Sequence, residues 1–189
     1  MKTILIKGNK RSDVGTSSAK SLRVEGMVPC VLYGGNENVN FAVYREDFSN
    51  LVYTPNTYKV KLDIDGQSYQ AILQDIQFHP VNDTIVHVDF LRVFDDKPVT
   101  ISVPVKLVGN AVGVRAGGKL LQKIKKLKVK GLINDMPDSI EVSIDHLELG
   151  KSIKVGEVKT DKITILDSPA NALVSVLATR ASKEAAASK

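Results

Sequence analysis

The sequence predicts a mainly β fold divided into two domains, and three observations support this prediction. Apolar and polar residues alternate with a period of two along much of the 189-residue chain, which is typical of half-buried strands. Asp65-Gly66 separates two alternating segments and is a favoured dipeptide for a tight hairpin turn. The polar segment 94–98 ends in proline and follows a complete set of strands, so it indicates a boundary between residues 1–94 and 95–180.

The first domain is predicted to combine strands with two short helices. A serine near residue 17 can cap the start of a helix over 17–25, and Gly26 suits the position just beyond its end. Helical spacing of Phe48, Leu51 and Val52 predicts a second helix over 45–52. The predicted strands are 3–7, 29–33, 39–43, the hairpin pair 58–64 and 68–77, and 84–91.

The second domain is predicted to consist mainly of strands. The segment 119–130 fits a helix through Leu120, Ile124 and Leu127, yet Leu127 and Val129 also alternate with lysines as in a strand. A strand is preferred because its neighbours along the chain are strands. The other predicted strands are 99–107, 140–144, 153–155, 163–166 and 172–178. Residues 181–189 have few large apolar groups and are predicted to form a mobile tail.

The composition, with 43% hydrophobic and 25% charged residues, predicts a globular protein with a buried core. No stretch approaches the roughly 20 apolar residues of a membrane span, and residues 1–8 do not resemble a signal peptide. The single cysteine, Cys30, is flanked by apolar residues and is predicted to be a buried structural thiol. We therefore expect a cytoplasmic protein that does not contact a membrane.

Positive charge is concentrated in two segments of a chain whose formal net charge is +5. Residues 1–94 hold ten basic and ten acidic residues, but six of the basic ones lie within 1–23 beside Asp13 alone. Residues 115–130 contain seven basic residues and no acidic one. Such clusters suit a phosphate backbone, although each is equally compatible with an ordinary solvated face.

The sequence offers little support for catalysis or for a bound cofactor. Gly113 to Lys119 has the glycine spacing of a phosphate-binding loop, but Leu120 stands where such a loop needs Ser or Thr. Candidate metal ligands are scattered, and only His87 and Asp89 clearly share a face; the full set is His79, His87, Asp89, Asp75 and His146. We therefore predict no enzymatic activity, no cofactor, no metal and no small-molecule substrate.

A polar strand face is the stronger indication of function. In the strand 84–91, Val86, Val88 and Phe90 point to one side, so His87 and Asp89 point to the other. Gln74 and Gln77 lie near the polar end of the preceding strand. Such side chains recognise hydrogen-bonding patterns, which suits irregular RNA with accessible base edges and 2′-hydroxyls. Alternatively, Asp89 is simply a structural partner of His87.

Five segments resemble the signature of the family of large-subunit ribosomal protein twenty-five, which binds 5S ribosomal RNA. They are Lys10-Arg11 with Gly15, Lys20-Ser-Leu-Arg23, Gly26-Met-Val-Pro-Cys-Val-Leu-Tyr33-Gly34-Gly35, and Gln74-Asp-Ile-Gln77-Phe-His79-Pro80 with His87-Val-Asp89-Phe90. The continuation beyond residue 94, with Gly117-Gly118 and the segment 140–150, is similar to the longer general-stress-protein CTC subtype. The resemblance covers the chain except its tail.

The resemblance implies a small antiparallel β-barrel with short helices that docks on the loop E region of 5S RNA, followed by a β-rich domain that packs elsewhere on the ribosome. It implies that a sheet surface recognises a widened minor groove and that the first helix approaches the adjacent major groove. By motif position, the phosphate contacts would be Arg11, Lys20 and Arg23, and the shape-and-base surface would include Tyr33, Gln74, Gln77, His87 and Asp89. Thr16 and Lys20 depart from the basic residue and the arginine that are common there, so a bidentate contact is replaced by a point charge or lost.

The functional prediction is a structural constituent of the large ribosomal subunit, with 5S rRNA and other subunit components as partners. One alternative is a stress-induced RNA-binding protein that associates with ribosomes conditionally. A second is a nucleotide-binding enzyme that uses Gly113 to Lys119. From charge alone, the cluster 115–130 is a candidate for a second ribosomal contact.

Overall fold

A computed structural model describes residues 1–35, 37–54, 56–158, 160 and 162–179 of the chain. Two compact units form, one from Met1–Val99 with Leu132–Asn134 and the other from Thr100–Gly131 with the described residues that follow Asn134. The domain division at residue 94 stays a prediction, and the predicted tail 181–189 lies outside the described residues. Among the described helices, none has the length and apolar character that crossing a membrane requires.

The first unit contains a closed barrel of six strands in the order β1-β3-β2-β6-β5-β4. The strands are β1 Lys2–Lys10, β2 Met27–Tyr33, β3 Val39–Tyr44, β4 Tyr58–Ile64, β5 Gln67–Phe78 and β6 Ile85–Arg92. Alternate residues of these strands point inward and form the core, in which Phe41, Phe48 and Phe90 are fully buried. Cys30 is buried in β2, as predicted, and burial raises the pKa of its thiol.

The predicted hairpin between β4 and β5 is confirmed. Asp65 and Gly66 form the two-residue turn with φ values of 48° and 83°, and Ile64 pairs with Gln67 across it. Positive φ at both central residues is what the favoured hairpin turn requires, and aspartate and glycine tolerate it well. The local sequence therefore determines this register.

The predicted barrel is confirmed, but its strands are not all antiparallel. β1 runs parallel to β4, from Lys2 opposite Tyr58 to Gly8 opposite Ile64, and β2 runs parallel to β6. Parallel partners cannot be joined by a tight turn and need a longer connection. Both parallel pairs are far apart in sequence, and barrel closure brings them together.

Two helical segments belong to the first unit. Helix α1, Thr16–Val24, begins after Gly15 without any side-chain hydrogen bond at its cap, so the predicted serine cap is wrong. Gly26 has a φ of 80° after the helix end, as predicted. A 3-10 turn over Arg45–Phe48 continues into helix α2, Ser49–Val52, at the second predicted helix. Phe48 lies 6.4 Å from Phe90, centroid to centroid, so this segment contributes to the barrel core.

The second unit contains two sheets, with strand orders β10-β7-β9-β12 and β11-β13-β8. Its elements are β7 Val99–Val108, α3 Val112–Arg115, β8 Lys119–Gln122, β9 Lys126–Gly131, β10 Ile140–Ser143, β11 Ser152–Lys154, β12 Thr164–Ile165 and β13 Ala172–Leu177. The preference for strand over helix in 119–130 is confirmed. The segment is divided, however, because β8 and β9 belong to different sheets.

Candidate nucleic-acid interface

The outer face of β5 and β6 brings the predicted polar residues together. Gln77 lies directly opposite His87, and Asp75 lies directly opposite Asp89. Val31 of β2 flanks Asp89 on the other side. Cross-strand partners of this kind have adjacent side chains, so the polar groups form one continuous surface on the barrel.

His87 and Asp89 form a close pair within this surface. His87 Nδ1 lies 2.6 Å from Asp89 Oδ1, and the two side chains are 30% and 29% exposed. A carboxylate on one ring nitrogen of histidine fixes the orientation of the ring and the position of its proton. Asp89 therefore holds the imidazole in place, and Nε2 is the ring nitrogen that remains for a ligand.

Tyr33, the last residue of β2, belongs to the same surface. Burial raises the pKa of its phenol above the ordinary value, and the nearby carboxylates of Asp89 and Asp75 raise it further. Negative charges disfavour the tyrosinate, so Tyr33 remains protonated and able to donate a hydrogen bond.

Asp75 is a member of this surface that the sequence did not assign to RNA binding. A β-bulge between Leu73 and Asp75 inserts Gln74 as an exposed extra residue and turns the Asp75 side chain outward. Asp75 Oδ1 accepts the backbone N–H of Ile76 at 2.9 Å. Strict alternation along β5 would have placed Asp75 inside the barrel, so no local signal identified it.

Helix α1 is attached to the strand beside His87. Arg23 Nε donates to the carbonyl oxygen of Val86 at 3.1 Å, and the Arg23 side chain is half-buried. Lys20, one turn earlier, is exposed. The structure thus brings the predicted helix residues next to the polar strand face, with Arg23 as the physical link.

Arg11 stabilises the segment that leads into helix α1. Its Nη2 donates to the carbonyl oxygen of Asp13 at 2.9 Å and to Ser18 Oγ at 3.2 Å. Ser18 Oγ in turn donates to the Asp13 carbonyl at 3.2 Å. These contacts hold the approach to the helix against its first turn, so Arg11 has a structural role whatever its role in RNA binding.

The sequence features that suggested other functions have structural explanations. A Cβ at Gly113 would lie 2.6 Å from the backbone of Leu149, and one at Gly118 would lie 2.5 Å from the Val176 side chain. The strand β8 begins at Lys119, where a phosphate-binding loop would continue into a helix. In the described part of the chain, no three potential ligands lie close enough together to form a metal site. One of the candidate ligands, His79, has a local structural role, because its Nδ1 accepts the N–H groups of Val81 and Asn82.

The fold and this surface define a class of protein, namely a two-unit β protein with a polar face and a basic helix suited to binding a nucleic acid. Residues 6–90 match the model of the Ribosomal L25p family, and residues 98–180 match that of the ribosomal protein TL5, C-terminal domain. The chain therefore belongs to the Ribosomal L25p family.

Relatives match along essentially the full length of the chain. A protein of Azobacteroides pseudotrichonymphae is 49% identical over 97% of each chain, and one of Porphyromonas gingivalis is 45% identical over 100% of each. A protein of Bacteroides fragilis is 48% identical over 99% of this chain and 98% of its own. All three are named large ribosomal subunit protein bL25, which is a structural protein and not an enzyme.

Proposed function

We propose that this chain is an RNA-binding constituent of the large ribosomal subunit in the bacterial cytoplasm and that its barrel binds the loop E region of 5S rRNA. Membership of the family supports the role as a structural constituent that assembles with other subunit components. The assignment to loop E follows the family resemblance of the segments that contain Arg11, Lys20, His87 and Asp89.

The observation that supports this proposal most directly is the His87 and Asp89 pair, set opposite Gln77 and Asp75 on the barrel surface. Two carboxylates would repel a regular phosphate backbone. They can instead accept hydrogen bonds from base amino groups or 2′-hydroxyls, which a distorted internal loop exposes. The strand face therefore suits base edges in an irregular groove.

The basic residues of helix α1 complement this face. Lys20 is exposed and supplies a point charge, whereas Arg23 still has its terminal Nη groups after Nε has bound Val86. Contacts to phosphates fix the orientation of a protein on RNA without recognising sequence. We propose that the helix positions the barrel and that the strand face recognises the distorted loop.

A binding titration of the full chain tests this function. The ligands are a loop E fragment of 5S rRNA and a regular RNA duplex of equal length, measured at the same salt concentration. We expect the fragment to bind at least about tenfold more tightly, which corresponds to about 1.4 kcal/mol. Equal affinities would contradict the proposal.

A matched pair of variants tests the assigned surface. Gln77 and Gln70 are both exposed glutamines on β5, but Gln77 faces His87 whereas Gln70 pairs with Lys61. Gln77→Ala should reduce the preference for loop E, and Gln70→Ala should not. The assignment of the surface fails if both variants behave alike.

A further inference from the structure

We infer that the second unit carries a separate binding site for the phosphate backbone of large-subunit ribosomal RNA. The site is the outer face of the sheet β10-β7-β9-β12, where it presents Lys106, Lys126, Lys128 and Lys130; these four residues are called the lysine face below. This inference goes beyond the proposed function, because it concerns another unit and an RNA region other than loop E.

The geometry of β9 produces the lysine face. Lys126, Lys128 and Lys130 are exposed, and they alternate with Leu127 and Val129, which are fully buried. Successive residues on one side of a strand are roughly 6.6 Å apart, so the three ammonium groups form a row. That separation is comparable to the distance between consecutive phosphates along one strand of a nucleic acid.

The neighbouring strands leave this positive row largely uncompensated. On β12, Lys130 faces Thr164, and the backbone contact of Leu166 with Lys128 places that leucine beside the row. On β7, Lys106 faces Glu141 of β10. No ion pair within 4 Å involves these lysines among the residues that the structure describes.

One further carboxylate lies near the row. Asp167 Oδ2 accepts the backbone N–H of Lys128 at 2.8 Å, so this carboxylate is engaged with the main chain. The face thus carries four positive charges beside two carboxylates, those of Glu141 and Asp167, and keeps a positive excess. Lysines held close together without partners repel each other, and an anionic partner removes that cost.

The tertiary structure selects these lysines from a larger group. Within 115–130, Arg115 ends helix α3, Lys119 belongs to β8 in the other sheet, and Lys123 and Lys125 precede β9. Lys106 lies outside that sequence cluster, yet sheet pairing places it on the same face. Because ammonium groups act as point charges, the site should recognise the RNA backbone without sequence specificity.

The test compares two variants of the full chain with equal loss of charge. In the first, Lys106, Lys126, Lys128 and Lys130 are replaced by glutamine. In the control, the replaced residues are the exposed lysines of the other sheet and its flanks, Lys119, Lys123, Lys151 and Lys154. Both are titrated over a range of salt concentrations against protein-free large-subunit rRNA without 5S rRNA, and separately against the loop E fragment.

The first variant should bind the large rRNA at least tenfold more weakly than the control variant. A plot of log affinity against log salt concentration should be shallower for this variant than for the wild type by about 3.6, since each of the four lost phosphate contacts contributes about 0.9 in duplex nucleic acid. Binding to the loop E fragment should differ less than twofold between the two variants.

Equal losses in the two variants would overturn the inference, because they would show an effect of net charge alone. If the wild-type chain bound no protein-free rRNA, while the first variant still lost association with large-subunit particles, the partner would be a ribosomal protein and the inference would be wrong. Failure of the wild type to prefer loop E would contradict the proposed function and leave the comparison on large rRNA intact.

Discussion

Asp89 Oδ1 lies 2.6 Å from His87 Nδ1 on the outer face of β6, where the two residues are separated by the buried Val88. Both side chains leave the strand on the same side, and each is only partly accessible to solvent. The pair thus presents one oriented imidazole to a ligand, with a carboxylate beside it. Asp89 can therefore act through His87, through a direct contact with RNA, or through both.

Substitution of this carboxylate tests whether Asp89 contributes to recognition by either role. Asp89→Asn should reduce the preference for loop E over a regular duplex by about fivefold to tenfold. A reduction of this size is expected when one good hydrogen bond to the RNA is lost. The salt dependence of binding should stay unchanged, because no phosphate contact is removed. Circular dichroism should confirm that the fold is retained.

A double-mutant cycle completes this test. If Asp89 acts only by orienting His87, Asp89→Asn should add no further loss in a chain that already carries His87→Ala. Additive losses would show that Asp89 makes a contact of its own. An unchanged preference in both single variants would remove the pair from the interface.

Tyr33 should lower the stability of the protein as the pH becomes alkaline. Burial and the carboxylates of Asp89 and Asp75 raise the pKa of Tyr33 in the folded state above that in the unfolded chain. The folded state therefore holds the proton more tightly, and this contribution is present at neutral pH and is lost as pH rises through the folded pKa. Denaturant unfolding at pH 8 and pH 11 should show wild type losing stability relative to Tyr33→Phe.

The difference between these two chains isolates Tyr33, since their other ionisable groups are the same. A difference in free energy of unfolding that did not change with pH would contradict the predicted direction of the pKa shift.

Arg11 and Lys20 should differ in their effects on stability although both are basic residues at the predicted RNA surface. Arg11→Ala removes the contacts to Asp13 and Ser18 and should lower the free energy of unfolding by about 1 kcal/mol. Lys20→Gln removes an exposed side chain and should change it by less than about 0.5 kcal/mol. Chemical denaturation of the full chain measures both.

Binding to RNA tests the role of Lys20 as a phosphate contact. Lys20→Gln should weaken binding to the loop E fragment and make its salt dependence shallower by about 1, as expected for one lost phosphate contact. A stability loss for Lys20→Gln as large as that for Arg11→Ala would show that the roles are wrongly assigned.

Gly109 and Gly150 provide a matched test of the second unit. Both have positive φ values, 94° and 74° respectively, but only at Gly109 would a Cβ overlap a neighbouring group, the Asp145 carboxylate. That carboxylate accepts the N–H of Asn110 at 2.8 Å, and this hydrogen bond is the main reason that the pKa of Asp145 is lowered. Gly150→Ala should cost about 1 kcal/mol for the backbone conformation alone.

Gly109→Ala should cost more than Gly150→Ala, because the backbone cost is joined by displacement of the carboxylate and loss of its hydrogen bond to Asn110. Equilibrium unfolding in urea compares the two variants. Equal costs would show that the Asp145 carboxylate moves aside freely.

Local patterns in the sequence determined most of the secondary structure. The alternation in β4, the Asp65-Gly66 turn and the return along β5 each depend on neighbouring residues, so the sequence alone predicts them. The same holds for β7 and for the helical segment that supplies Phe48 to the core. The closed barrel was predicted from the family resemblance, because periodicity alone does not show whether a sheet closes.

Pairing between distant segments was decided only by the tertiary structure. The parallel pairing of β1 with β4 and of β2 with β6 has no local signal, because it depends on barrel closure. The bulge at Gln74 turned Asp75 outward against the expected alternation. Periodicity reports which residues of one strand share a side, but it does not report bulges or which strand lies next to it.

The candidate site shows the same division. The sequence placed His87 and Asp89 on one side of a strand, and it identified basic residues near the N-terminus. Only the tertiary structure shows that Arg23 donates a hydrogen bond to the backbone next to His87 and that Arg11 donates one to Ser18. In the second unit, it likewise brought Lys106 to the row on β9. These contacts join groups far apart in the chain or across loops, and they form only when the packing of the whole unit fixes both partners.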